Sequence, residues 1–316
     1  MKFVKILLIG LSCLIGWRAS MAQRFDAARV HDPSTIVYEN GKFYVFHTGR
    51  GVLFRSSSDL TNWQSPRSVF EQPLRWWNDV VTNFNGFLWA PDIDHFNNCW
   101  HLYYSVSSWG KYRSAIGLAV NKTLDSSNKD YKWEDKGLVI ESHRSDKFNT
   151  IDPAVLVDDD KVWLVFGSYW SGIKLIELNP KTGKRMDAQI YSLASAPEIE
   201  APFIYKRDGY YYLFVNFGLC CRGINSTYNI RVGRSKDVRG PYLDADGKDM
   251  QNGGGTLFLE TYKNRIGPGH SGIFKHNGVE YFSYHYYDAN NNGRPRLMIQ
   301  QIQWNNNGFP VILQEK

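Results

Sequence analysis

The chain has 316 residues, a formal net charge of +6 and 15% aromatic residues, among them 11 Trp and 19 Tyr. Its length and 43% hydrophobic content allow one large core, and the aromatic excess points to surfaces that stack on a flat, partly polar ligand such as a sugar. The basic balance does not argue for nucleic acid, because no run of Lys and Arg is interleaved with aromatic residues.

Residues 1–22 read as a secretory signal peptide, with a basic start at Lys2 and Lys5, an apolar run from Ile6 to Trp17 and small residues at Ser20 and Ala22. The run is too short for a comfortable membrane span, and no later segment is long and apolar enough for one. The expectation is an exported protein, secreted or periplasmic, whose mature form begins near Gln23. Cys13 lacks a convincing lipobox, which ranks a lipoprotein anchor second. Removing Lys2, Lys5 and Arg18 lowers the formal charge to +3, a mild bias that would help approach to anionic material such as pectin. Cys99, Cys220 and Cys221 remain, too few for a disulfide framework and without zinc-ligand spacing. The adjacent pair Cys220-Cys221 is read as two thiols in preference to a vicinal disulfide.

The rest, residues 23–316, repeats one pattern five times: a short opening with Asp, Glu or His and a Pro, an apolar strand, a turn, an aromatic strand, a turn and a third strand. Unit one opens at His31-Asp32-Pro33, turns at Glu39 to Lys42 and continues through Phe43 to His47 and Val52 to Ser56. Unit two opens at Trp89-Ala90-Pro91-Asp92, turns at Asn97-Asn98 and continues through Trp100 to Val106 and Ser114 to Val120. Unit three opens at Ile151-Asp152-Pro153, turns at Asp158 to Lys161 and continues through Val162 to Gly167 and Gly172 to Leu178. Unit four opens at Glu200-Ala201-Pro202, turns at Lys206 to Gly209 and continues through Tyr210 to Asn216 and Tyr228 to Ser235. Unit five opens at Gly267-Pro268-Gly269-His270, turns at Lys275 to Gly278 and continues through Val279 to Tyr286 and Leu297 to Gln303.

Asn-Gly or Asp-Gly between aromatic or β-branched runs is a strong hairpin signal, and it recurs at matched places in three of the five units. Five such units with almost no helical periodicity predict an all-β, five-bladed β-propeller. A β-sandwich would not explain why each unit opens alike.

In a propeller the first strand of each blade lines the axial channel, so Asp32, Asp152 and Glu200 are expected to converge, with Asp92 and His270 in the two remaining openings. A lone Asp-Pro is usually a turn device; three acids in register with a fivefold repeat are harder to dismiss. Cleaving a glycosidic bond with inversion needs an acid to protonate the leaving oxygen and a carboxylate to activate water, ~6.5–9.5 Å apart. Asp32 is assigned as general base, Glu200 as general acid and Asp152 as the charge that keeps the acid protonated. Glu198 is the rival acid, since strand alternation would put it on the face of Glu200.

The sequence resembles glycoside hydrolase family 43, and within it the arabinanases. The resemblance rests on His31-Asp32-Pro33, Leu88 to Ile93, His101 to Ser105, Ile151 to Ala154, Phe166 to Ser168, Glu198 to Phe203 and Gly267 to His270, with Cys220 to Gly223 and Ser226 to Asn229 favouring the arabinanase branch. It covers nearly all of residues 23–316. It implies a five-bladed propeller, an inverting mechanism with Asp32, Asp152 and Glu200 in the roles above, and internal cleavage of α-1,5-linked arabinan, a pectin side chain, by a monomer. An exo-acting arabinanase, arabinofuranosidase or xylosidase is the alternative on the same fold, and a non-catalytic carbohydrate-binding propeller is the alternative from another class. The resemblance also implies a calcium ion on the axis with His270 as protein ligand, and sugar contacts from His31, Trp89, Trp109 and Ser168. The plainer alternative for His270 is a hydrogen-bonded channel histidine, and for Trp89 core packing. Trp76-Trp77 and Trp170 are expected to extend the groove.

Overall fold

The computed structural model describes residues 28–111 and 113–313, so the signal peptide expected over residues 1–22 lies outside them. The described chain forms five antiparallel blades around a common axis. Blade 1 runs Val37–Glu39, Lys42–His47, Leu53–Ser57 and Arg67–Ser68. Blade 2 runs Phe87–Phe96, Cys99–Val106, Ser114–Asn121 and Glu134–Ser142, with Gly49–Arg50 added at its inner edge. Blade 3 has Ala154–Asp158, Lys161–Phe166, Ile173–Leu178 and Tyr191–Ala194. Blade 4 has Ile199–Arg207, Tyr210–Phe217, Asn229–Ser235 and Thr256–Leu259, and blade 5 has Arg265–His276, Val279–Asp288 and Arg294–Gln301.

Type I′ turns match the right-handed twist of paired strands and need two consecutive left-handed residues. Asn40-Gly41, Asp208-Gly209 and Asn277-Gly278 supply them, and Asn97-Asn98 does so without glycine. Side chains alternate along the strands, and their apolar faces pack blade against blade. Blades 1 and 2 share Phe46, Phe54, Leu88, Leu102 and Tyr104, while blades 4 and 5 share Phe214, Ile230, Phe282 and Tyr284. The ring closes where the Leu297 amide of blade 5 donates to Ala28 at 3.0 Å, with Ala28 and Val30 packed on Phe274, Leu297 and Val45. Among the described residues no helix is long and apolar enough to cross a membrane.

The blade openings share a backbone feature. Asp32, Ala90, Asp152, Ala201 and His270, one per blade, all adopt left-handed conformations, with φ of 51°, 40°, 58°, 53° and 56°. Each costs an L-residue roughly 1–2 kcal/mol, and in blades 2, 4 and 5 strand pairing skips a step at that point. These five positions are the true equivalents, which corrects the expected register. Glu200 stands one residue before its blade's left-handed position, and Asp92 two residues after. Asp92 accordingly misses the channel mouth. It is buried and accepts the amides of Thr35 (2.8 Å) and Val155 (2.9 Å), tying blades 1 and 3 to blade 2.

Two expectations about aromatic residues also fail. Trp77 is buried in the core at the start of the short helix Trp77–Val80, and Trp76 packs beside it with its indole N–H on Asp135 at 3.1 Å, so neither extends a groove. The pair lies in the long connection between blades 1 and 2, where the buried indole of Trp77, with the partly buried Trp76 against it, anchors a segment without strands to the core.

Candidate active site

A cleft of about 1000 Å³ opens at the channel mouth, and Asp32, Asp152, Glu200 and His270 form its floor. The three carboxylates are only 8%, 6% and 8% exposed. The acids come from blades 1, 3 and 4, as the repeat requires.

Asp32 is held ready to accept a proton. Its Oδ2 accepts from the Thr48 hydroxyl (2.6 Å) and His31 Nδ1 (2.8 Å), and its Oδ1 lies 3.1 Å from His270 Nδ1. Burial pushes its pKa up, but positive charge at His31 and His270, with the hydrogen bond from His31, outweighs that and holds it well below the usual carboxylate range. Asp32 is therefore ionised at neutral pH.

Glu200 is the opposite case. Burial first, and then the nearby charge of Asp152, push its pKa up to about 8, against a smaller downward pull from the Ser168 hydroxyl, which donates to Oε2 at 3.0 Å. Glu200 thus keeps its proton at neutral pH. Asp152 is itself raised to about 6, by burial and by Asp32, with His270 and the Ala201 amide (3.2 Å to Oδ2) pulling it down. The Asp152 amide donates to the Ser105 hydroxyl at 3.1 Å. Environments that drive two carboxylates apart in this way define an acid and a base.

Glu198 does not compete. It precedes the strand that begins at Ile199, in a left-handed turn, only half-buried and outside the cleft lining, so strand alternation does not apply to it.

The sugar-contact expectations divide. Trp89 is half-buried and Trp109 is 73% exposed; both line the cleft, edge to face with ring centroids 6.3 Å apart, so Trp89 is not simply core. His31 also lines the cleft, but both its ring nitrogens are engaged, Nδ1 by Asp32 and Nε2 by the Tyr287 hydroxyl at 2.8 Å. Ser168 is buried and its hydroxyl is given to Glu200, not to the cleft, because it sits beside the acid's strand and pairs with it. Trp170 is exposed beyond that turn and does not line the cleft.

Several residues here escaped the sequence reading: Thr48, His285 and Tyr287 around Asp32, and Asn216, whose side chain accepts the His270 amide at 3.1 Å. His285 is fully buried; its Nδ1 accepts the Asp32 amide at 3.1 Å, and burial holds its pKa well below the usual histidine range. None is in an opening motif. A polar residue in the middle of an aromatic strand, as in Tyr284-His285-Tyr286, was the one available signal.

Cys220 and Cys221 form a vicinal disulfide on the cleft wall, contrary to the thiol reading. Adjacency alone could not show that the backbone there brings the two sulfurs together.

His270 decides whether a cation fits. Among the described residues neither ring nitrogen has an aligned hydrogen-bond partner, and Nε2 is buried 4.0 Å from Asp152 Oδ1. An orphaned nitrogen amid three carboxylates suits a cation, but hard cations prefer oxygen, so the other ligands must be waters. The trio His31, Asp32 and His285 also has ligand atoms within 4.8 Å of one another, but those of His31 and Asp32 are already committed to hydrogen bonds. Without a cation, burial lowers the pKa of His270, but Asp32, Asp152 and Glu200 outweigh it and raise the group to about 9, so the imidazolium supplies the positive charge itself.

A five-bladed propeller that buries an ionised and a protonated carboxyl in one sugar-sized cleft has the site of a glycoside hydrolase. The model of glycosyl hydrolases family 43 matches residues 25–310, and the chain belongs to that family. It is 42% identical to the extracellular exo-α-(1→5)-L-arabinofuranosidase ArbA of Cellvibrio japonicus, over 96% of this chain and 91% of that protein. It is 44% identical to the extracellular endo-α-(1→5)-L-arabinanase 1 of Bacillus subtilis, over 89% and 87%. The structure of the Cellvibrio cellulosa α-L-arabinanase complexed with arabinohexaose superposes with a TM-score of 0.87 at 42% identity, covering 90% of this chain and 96% of that one.

Proposed function

We propose that this protein is an extracellular arabinanase that cleaves internal α-1,5-L-arabinofuranosidic bonds of arabinan with inversion. The observation that carries the reading is the split pair, Asp32 ionised and Glu200 protonated, in one cleft. Glu200 donates its proton to the leaving oxygen as the glycosidic bond breaks. Asp32 takes a proton from the water that attacks the opposite face of the sugar. Asp152 keeps Glu200 protonated and, through the Ala201 amide, fixes the strand that carries it. Trp89 and Trp109 offer rings for sugar faces.

A cleft of about 1000 Å³ lies at the upper end of small-ligand sites and suits several pentose units, which favours a polymer. The relatives include both endo- and exo-acting enzymes at near-equal identity, so similarity does not choose between them. Product analysis on debranched arabinan does. Endo action gives a ladder of oligosaccharides from the first minutes, with the new sugar ends inverted by NMR; release of a single small product from chain ends overturns it in favour of exo action.

We propose calcium as a second component, held by His270 and waters. Held by His270, it would supply positive charge to the carboxylate cluster in place of the imidazolium. Elemental analysis of the purified protein should then find about one calcium per chain, and EDTA should lower the melting temperature by several degrees. A metal-free protein whose melting temperature ignores EDTA removes the claim.

A further inference from the structure

We propose that the Cys220–Cys221 disulfide and Tyr287 together form a positioning device for the general base. The inference rests on the hydrolase reading of Asp32 above and deepens it. Cys221 is exposed in the cleft and left-handed at φ 67°, a conformation that an L-residue in an open loop avoids. Closing the ring between adjacent cysteines removes the freedom to leave it.

In that conformation the Cys221 amide donates to the Tyr287 hydroxyl at 2.8 Å. The same hydroxyl is hydrogen-bonded to His31 Nε2, also at 2.8 Å. His31 Nδ1 then carries the hydrogen that meets Asp32 Oδ2 at 2.8 Å. The chain is continuous at hydrogen-bond distance from the Cys221 amide to the Asp32 carboxylate, with Nδ1 as donor at the Asp32 end and the Tyr287 oxygen able to accept from the amide and still meet Nε2. Tyr287 is 3% exposed and His31 is stacked on His285 with centroids 4.3 Å apart, so the ring has no second way to sit. The base is thus aimed from other blades: Asp32 opens blade 1, the disulfide lies in the loop between Tyr210–Phe217 and Asn229–Ser235 of blade 4, and Tyr287 is in blade 5.

Among the described residues neither the disulfide nor Tyr287 is hydrogen-bonded to Glu200, and both reach the chemistry through His31 and Asp32, so their loss should act on kcat. Tyr287→Phe keeps the ring and removes the hydroxyl; it should lower kcat on arabino-oligosaccharides by ~10- to 100-fold, the cost of misplacing a reacting group by a fraction of an ångström, with KM within about twofold. C220S/C221S should do the same. C220S/C221G should recover most of the loss, because glycine holds a positive φ without the ring. As a check independent of folding, treating the wild type with a phosphine reductant should bring kcat to the C220S/C221S level, and reoxidation should restore it. The proposal fails if Tyr287→Phe or C220S/C221S keeps wild-type kcat, or if C220S/C221G is no better than C220S/C221S. Wild-type hydrolysis in the same assay tests the hydrolase reading separately, since the positioning claim is read only from variant-to-wild-type ratios.

Discussion

Glu200→Gln should lower kcat on arabinan by ~10³-fold or more, within the range attributed to a positioned general acid. Glutamine preserves the volume and the contact with the Ser168 hydroxyl, so fold and substrate binding should persist, as melting temperature and calorimetric titration with arabino-oligosaccharide would show. The loss should shrink on an aryl arabinofuranoside, whose leaving group departs without a proton. Equal losses on both substrates would mean that Glu200 is not the acid. The pH profile carries the same signature. An acid works protonated, so wild-type activity should fall as pH rises through about 8, and this alkaline limb should vanish from the residual activity of Glu200→Gln.

Asp32→Asn should cost about as much, ~10³-fold in kcat, because the attacking water loses its base. Here the aryl substrate should offer no relief, since water must be activated whatever the leaving group. That contrast separates base from acid. Asparagine also turns one accepting oxygen into a donor that faces Thr48, His31 or His270, so the melting temperature must be measured alongside. A variant that folds, binds oligosaccharide and keeps more than about a tenth of the wild-type rate would dismiss Asp32 as the base.

The reason two carboxylates a few residues from prolines behave so differently lies in their neighbours. Asp32 sits among Thr48, His31 and His270, and the hydrogen bonds and positive charge there overcome burial. Glu200 has a single hydroxyl donor and a carboxylate neighbour, and burial prevails. Asp152 lies between these limits, with one amide donor. Because the three share one cleft, each is part of the others' environment.

How far this was legible in the chain depends on the scale. The five-bladed fold followed from turn chemistry and repeat, since a type I′ hairpin is written in two adjacent residues and alternation in a handful. Strand positions accordingly agree closely, as at Cys99–Val106 against the expected Trp100 to Val106. The convergence of Asp32, Asp152 and Glu200 followed from the fold, because blade openings meet on one axis. Register within the opening did not follow. That Ala201, and not Glu200, is the counterpart of Asp152 depends on backbone conformation, and the same shift takes Asp92 out of the channel and into an inter-blade tie.

What the sequence determined by itself is therefore local chemistry repeated: hairpins, the blade count, the acid-bearing openings and the aromatic residues beside them. What only the tertiary structure decided is which partner each polar atom meets. His31 bonds Asp32 and Tyr287 through its two ring nitrogens, Ser168 serves Glu200, Trp77 fills a core, and Cys220 and Cys221 join. The physical reason is that hydrogen bonding and burial act over about 3 Å between residues as distant in sequence as His31 and Tyr287. The protonation states that separate acid from base are set at that range, by atoms contributed from different blades.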